Sequence, residues 1–166
     1  MYFKTEEIRI DNLPYDIEEF KKTAVEKMVD PVNTAVLFIF ALNIYAEDAD
    51  KGKEFLSFLI HDFENAISFS NIAKNNNIAK SYLKGAEPSN KYTPSQPLTV
   101  VVKYDEERGR IKHLKTVYIG CGGVDSYRPL TLVRVKRRKL PFKHKHDLWF
   151  VYDYPSIILD VKEADQ

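Results

Sequence analysis

The segment GAEPSNKYTPSQP (85–97) divides the chain into two parts of different sequence character. It holds three of the eight prolines. Proline lacks a backbone N–H and restricts the residue before it, so the segment predicts an extended, irregular and helix-free connection over residues 86–97. Helical patterns precede this connection and strand patterns follow it, and this order decides the fold class.

Helix signals fill residues 14–85. Asp16 with Glu19 has the spacing of a capping box at a helix N-terminus. Asp30 before Pro31 predicts a second start, since aspartate caps free N–H groups and proline suits the first turn. The helix that follows, to about Ala46, is apolar nearly all round, so we expect it to be buried. Two more helices are predicted, one from about residue 50 and an asparagine-rich one that stops at residue 85.

Strand signals fill residues 98–162. Short connections between neighbouring strands favour antiparallel pairing, because a parallel crossover needs a longer connection. The sequence therefore predicts an α+β fold in one domain, 1–166, with the N-terminal helices packed on one face of a C-terminal antiparallel β-sheet. The segments that predict its strands are LTVVVKY, IKHLKTVYI, LTLVRVK, LWFVYDY and SIILDV.

Composition limits the class of protein. The 166 residues are 44% hydrophobic and 30% charged, which is typical of a folded water-soluble domain. The net charge of +1 hides an asymmetry, since residues 1–90 carry about −5 and residues 91–166 about +6. One cysteine excludes an internal disulfide, the N-terminus lacks a signal-peptide pattern, and the longest apolar run (35–42) is too short to span a bilayer. We expect a cytoplasmic protein without membrane association.

Three segments carry a resemblance to a known family. They are SYLKGAEPSNKYTP (81–94), GGVDSYRPLTL (122–132) and LWFVYDYPSIILDV (148–161). In order and spacing they resemble an uncharacterised bacterial domain family with Gly-Ala-x-Pro-x-Asn-x-Tyr-Thr-Pro and Gly-Gly-x-Asp-Ser-x-Arg-Pro motifs. The resemblance implies a fold and a bacterial source but no activity. The chain departs from the pattern at Cys121, where a small hydroxyl residue is expected, and in the basic run after Val135.

The turn IGCGGVDSYRPLTL (119–132) is the first candidate site. It lacks the lysine and helix of a P-loop, the βαβ context of a dinucleotide site and the Gly-x-Ser-x-Gly of a nucleophile elbow. Turn chemistry explains its residues: Gly122 and Gly123 are predicted to supply positive φ, and Asp125 and Ser126 to accept backbone N–H groups. Arg128 is predicted to reach a carboxylate or free carbonyls.

Two hypotheses about function place a site at this turn. Loops on a rigid scaffold tend to carry function, so we favour a non-enzymatic binding or interaction domain. In it, Tyr92, Asp125, Ser126 and Arg128 would hold a small polar ligand or a partner's peptide. The alternative is a small hydrolase or transferase, with Asp125 or a histidine as base and Ser126 or Cys121 as nucleophile.

A basic stretch raises a third alternative. Residues 128–145 hold eight Lys/Arg and no acidic residue. On an alternating strand Arg134, Lys136 and Arg138 would share one face and could contact nucleic acid or another polyanion. The near-neutral charge favours a solubilising hairpin instead. His144 and His146 nearby are flanked by lysines, which oppose a cation, so we expect neither a metal site nor a cofactor.

Overall fold

The computed structural model describes residues 3–66, 68–106 and 112–166. Five strands and five helices form an α+β fold, with the helices in the N-terminal half and most strands in the C-terminal half, as the sequence predicts. The strands are β1 Phe3–Arg9, β2 Thr99–Asp105, β3 Leu114–Ile119, β4 Arg128–Val135 and β5 Leu148–Asp153. The helices are α1 Ile17–Lys27, α2 Pro31–Glu47, α3 Ala49–Leu59, α4 Ser70–Lys74 and α5 Asn76–Lys80.

The sheet is antiparallel throughout, in the order β1-β2-β3-β4-β5. β1 was not predicted. It pairs with β2 from Phe3 opposite Asp105 to Arg9 opposite Thr99. In the sequence, the whole helical region therefore lies between two strands that pair with each other. The predicted strand SIILDV (156–161) is wrong, because this stretch forms turns and irregular chain after β5.

The helices begin where the capping signals predict. Asp16 accepts a hydrogen bond from Glu19 N at 3.0 Å, and Asp30 accepts one from Val32 N at 2.9 Å with Pro31 in the first turn. α2 is buried over most of its length and contacts β2, β3, β4 and β5, while α1, α3, α4 and α5 pack around it. The prediction of a central, buried second helix is confirmed.

One face of the sheet forms the core with α2. Alternate residues of β2, β3 and β4 point to this face and are fully buried: Val100, Val102, Val117, Ile119, Leu130 and Leu132. These side chains and those of the helices belong to one hydrophobic cluster. None of the helices in the described part of the chain combines the length and the apolar character needed to cross a bilayer.

The outer edge of β5 is hydrogen-bonded to the helical layer. Trp149 N donates to Met28 O at 2.8 Å, just after α1, and Thr34 Oγ1 of α2 donates to Trp149 O at 2.9 Å. Beyond α3, His61 N donates to Val151 O at 2.8 Å. The helical layer therefore covers both the inner face and this edge of the sheet.

The connection between the halves is irregular, with one difference from the prediction. Residues Pro88–Asn90 form a short 3-10 turn, so the segment is not wholly helix-free. The Gln96–Pro97 peptide bond is cis. Lys91 and Tyr92 have φ of 56° and 55°, a left-handed conformation that is uncommon for non-glycine residues. This local turn accompanies the inward position of the Tyr92 side chain, which is buried.

Candidate functional site

Arg128, at the start of β4, is buried on the core face of the sheet and binds the chain's own C-terminal segment (157–165). Its guanidinium donates to Leu159 O at 2.8 Å, to Asp160 O at 2.6 Å and to the Tyr82 hydroxyl at 3.0 Å. The Tyr82 hydroxyl donates in turn to Ile157 O at 2.5 Å. Burial raises the pKa of Tyr82, so the hydroxyl stays protonated. Of the two predicted partner types for Arg128, carbonyls are the ones present.

Tyr92 holds the same segment from the other side. Its hydroxyl donates to Lys162 O. Burial raises the pKa of this tyrosine. Lys162 N donates to Gly123 O at 3.0 Å, and a Cβ built on Gly123 would lie 2.6 Å from Val161 Cβ. Both motif segments therefore hold the C-terminal segment against the domain.

The two motif segments also contact each other directly. Gly122 N donates to Ser81 O at 2.8 Å, and a Cβ on Gly122 would lie 1.9 Å from Ala86 O. Neither Gly122 nor Gly123 has positive φ, so the predicted reason for these glycines is wrong. Among the described glycines, Gly85 is the one with positive φ, at 89°. Close backbone approach requires Gly122 instead.

A pocket of about 300 Å³ opens where these segments meet. We call it the motif pocket. Its volume is at the lower end of the range for small-molecule sites. It is lined by residues 81–87 of the first motif, Val101, and residues 120–122 and 124–127 of the second.

The four predicted ligand-binding residues divide into two pairs. Asp125 and Ser126 line the motif pocket and are exposed. Asp125 accepts a hydrogen bond from Lys162 Nζ at 2.7 Å, and this contact lowers the pKa of its carboxyl. Tyr92 and Arg128 do not line this pocket, and their polar groups are bonded to the C-terminal segment. The structure brings all four into one region, but only one pair faces the open space.

The hydrolase hypothesis names Cys121 and Ser126 as nucleophiles, and the structure shows which groups they contact. Cys121 Sγ donates to Ser81 Oγ at 3.2 Å, and in the described chain neither Cys121 nor Ser126 bonds a histidine or a carboxylate. None of the pocket-lining residues is a histidine. Across the described ranges no group of three or more His, Cys, Asp or Glu side chains could hold a metal ion.

The predicted basic face is arranged differently from the sequence expectation. β4 ends at Val135, and Arg137–Lys139 form a 3-10 turn, so the alternation that would align Arg134, Lys136 and Arg138 stops. Arg134 is half-buried beside Trp149, its partner in the strand register, whereas Lys136 and Arg138 are exposed. The prediction of one continuous row is wrong because the strand is too short.

Some residues of the site have no sequence signal. Tyr82 lies within a quoted motif, but nothing in the sequence shows that it links Arg128 to the C-terminal segment. Lys162 lies in an ordinary charged stretch, and its role appears only when the segment packs beside Gly123 and Asp125.

The fold and the site together define a class: an α+β domain in which two sequence motifs meet at a pocket and hold the C-terminal segment. Over residues 12–165 the chain matches the family described as a domain of unknown function, DUF6935, and it belongs to that family. The resemblance to an uncharacterised family is confirmed to this extent. No curated protein and no solved structure matches the chain significantly, so no specific function comes from relatives.

Proposed function

We propose that this domain is a non-enzymatic binding module that takes a small polar ligand in the motif pocket. One observation carries the proposal: residues 81–87 and residues 120–122 and 124–127, which are separated by more than 30 positions in the sequence, line the same pocket. Convergence of two loops on a rigid scaffold is a common way to build a binding site.

The polar groups of the pocket indicate the ligand's chemistry. The exposed hydroxyl of Ser126 and the carboxylates of Asp125 and Glu87 lie at the pocket, whereas the Ser81 hydroxyl and the Cys121 thiol are bonded to each other. Lys84 also lines the pocket and forms an ion pair with Glu7. Carboxylates only accept hydrogen bonds when ionised. A small ligand rich in N–H or O–H donors, such as a polyol or an amine, fits this set.

The four predicted residues have two roles in this proposal. Asp125 and Ser126 would contact the ligand, since they line the pocket and are exposed. Tyr92 and Arg128 would act as positioning residues, because their bonds to the C-terminal segment hold the second motif in place. Lys162, bonded to Asp125, would orient that carboxylate.

The hydrolase alternative has less support. An activated nucleophile needs a base within hydrogen-bond reach. The sulfur of Cys121 bonds the hydroxyl of Ser81, which is a poor base, and the described chain gives Ser126 no such partner.

A bacterial source, a cytoplasmic location and the whole-chain domain boundaries stay predictions from the sequence.

Filling the pocket tests the proposal. A panel of polyols, monosaccharides, amino acids, amines and dipeptides would be screened against the full chain by ligand-observed NMR. We expect a saturable binder whose signal is lost in Ser126→Trp, where the new ring occupies the pocket rim. Ser57→Trp, at another exposed serine, on α3, is the matched control and should bind normally. Absence of any binder, or equal binding by both variants, would contradict the proposal.

A further inference from the structure

A second pocket, of about 510 Å³, lies between the end of β4 and the start of β5. It shares no lining residue with the motif pocket. We call it the basic pocket, and its lining residues are Val29, Arg134, Arg137, Lys145, His146, Asp147 and Trp149.

Its charges are unbalanced. Arg134, Arg137 and Lys145 are cations at neutral pH, and none forms an ion pair within the described chain. The one carboxylate, Asp147, already accepts a hydrogen bond from the backbone N of Arg137 at 2.9 Å. Three cations against one carboxylate leave the pocket with net positive charge, which is favourable for an anion.

Arg134 carries a second, independent observation. Its Nε is buried and has no hydrogen-bond partner, the only such side-chain nitrogen or oxygen in the described part of the chain. A buried donor without a partner costs free energy, and each case calls for an explanation such as an ion or a water. A guanidinium offers its donors as a planar fork that matches the oxygens of a phosphoryl group.

Beside His146, two apolar residues complete the wall of the pocket. Trp149 is buried and lies opposite Arg134 in the strand register, and Val29, just after α1, is 42% exposed. An anion that carries a small hydrophobic body could therefore place its charge on the arginines and its body on this wall.

We propose that the basic pocket binds the phosphoryl group of a small organic phosphate. A single group fits better than a polyanion because β4 ends at Val135, and the cations converge on a pocket rather than follow a row. A neighbouring open groove shares Arg137 and Lys145 with this pocket and adds Arg138 and Lys143. These exposed cations raise the local concentration of anions near the pocket.

The only tryptophan of the chain gives a local readout. Trp149 lines the pocket, so its fluorescence should change on binding and saturate. Phenyl phosphate is the probe, with inorganic phosphate as the head group alone and benzyl alcohol as an uncharged analogue. At low ionic strength we expect phenyl phosphate to bind more tightly than inorganic phosphate, and benzyl alcohol not to bind.

Two variants that each remove one positive charge distinguish binding in this pocket from nonspecific attraction by the basic surface. Arg134→Gln should weaken phenyl phosphate binding by about tenfold, because it removes a charge-assisted fork inside the pocket. Lys136→Gln, two residues away but outside the pocket, should change the dissociation constant by less than about twofold. Lys145→Gln, on an exposed loop, should also weaken binding. It replaces Arg134→Gln as the test variant if Arg134→Gln fails to fold.

Three results would overturn the proposal. The first is no saturable fluorescence change with either phosphate. The second is equal weakening by Lys136→Gln and the pocket variants. The third is binding only of a single-stranded oligonucleotide with steep salt dependence, which would make this face a polyanion surface.

Discussion

Replacing Arg128 with alanine removes one of the main contacts between the sequence motifs and the C-terminal segment. The buried guanidinium donates three hydrogen bonds, at 2.6, 2.8 and 3.0 Å. Each bond to a charged group contributes about 1.5–3 kcal/mol. The carbonyls of Leu159 and Asp160 belong to exposed residues and can bind water instead, which lowers the sum. We therefore expect Arg128→Ala to reduce the free energy of unfolding by about 3 kcal/mol.

Thermal unfolding measures this loss. For a domain of this size, 3 kcal/mol corresponds to a decrease of roughly 6–12 °C in Tm. Arg128→Lys keeps the positive charge but loses the planar set of guanidinium donors. Its Tm should therefore lie between that of the wild type and that of Arg128→Ala. Arg138→Ala, an exposed arginine, is the control and should change stability by less than about 0.5 kcal/mol.

Hydrogen exchange tests the location of the effect. The amides of Lys162 and Asp165 donate to Gly123 O at 3.0 Å and to Pro88 O at 2.9 Å. Both should exchange faster in Arg128→Ala than in Arg138→Ala, because the C-terminal segment opens. A stability loss below about 1 kcal/mol, or unchanged exchange at these two amides, would refute the reasoning.

Three further predictions concern other contacts. Gly122→Ala should reduce the free energy of unfolding by more than about 2 kcal/mol, because the new Cβ would lie 1.9 Å from Ala86 O and the backbone must move. Chemical denaturation measures this loss, and an unchanged midpoint would contradict the prediction. Tyr104 donates to the Glu6 carboxylate and lowers its pKa, so this contact stabilises the fold at neutral pH and is lost as pH falls through that lowered value. Tyr104→Phe should raise the Glu6 pKa in an NMR titration and reduce acid sensitivity; an unmoved pKa would count against it. Tyr92→Phe should lower stability by about 1 kcal/mol in the same denaturation assay, and no loss would mean that its hydroxyl bond is replaced by water.

Local signals predicted the starts of α1 and α2 correctly, whereas the asparagine-rich helix predicted to stop at residue 85 is two short helices that end at Lys80. Asp16 and Asp30 cap helices through bonds to residues two or three positions away, and such short-range patterns can be found in one sequence. β1 could not be found in this way. Its sequence FKTEEIR is mostly charged and exposed, and what makes it a strand is pairing with β2, more than 90 residues later.

The site was predicted in part, for a related reason. Turn-type residues marked the second motif, but the contact of Gly122 with Ala86 and the packing of Gly123 on Val161 depend on three distant segments. SIILDV has the β-branched pattern of a strand, yet side chains of Arg128 and Tyr82 donate to its carbonyls, and none of the described strands pairs with it. The prediction that Arg134, Lys136 and Arg138 share one face of a strand was wrong, because no sequence feature showed that β4 ends at Val135.

The hydrogen bonds along the outer edge of β5 have a consequence for aggregation. LWFVYD is the most apolar strand, and a free edge on it would be a template for pairing with another chain. Met28, Thr34 and His61 occupy that edge. The opposite edge, β1, carries the charged side chains of Lys4, Glu6, Glu7 and Arg9, which discourage pairing. Partial detachment of the helices, rather than complete unfolding, is therefore the event that would expose an adhesive edge, and conditions that loosen only this layer should give the most self-association.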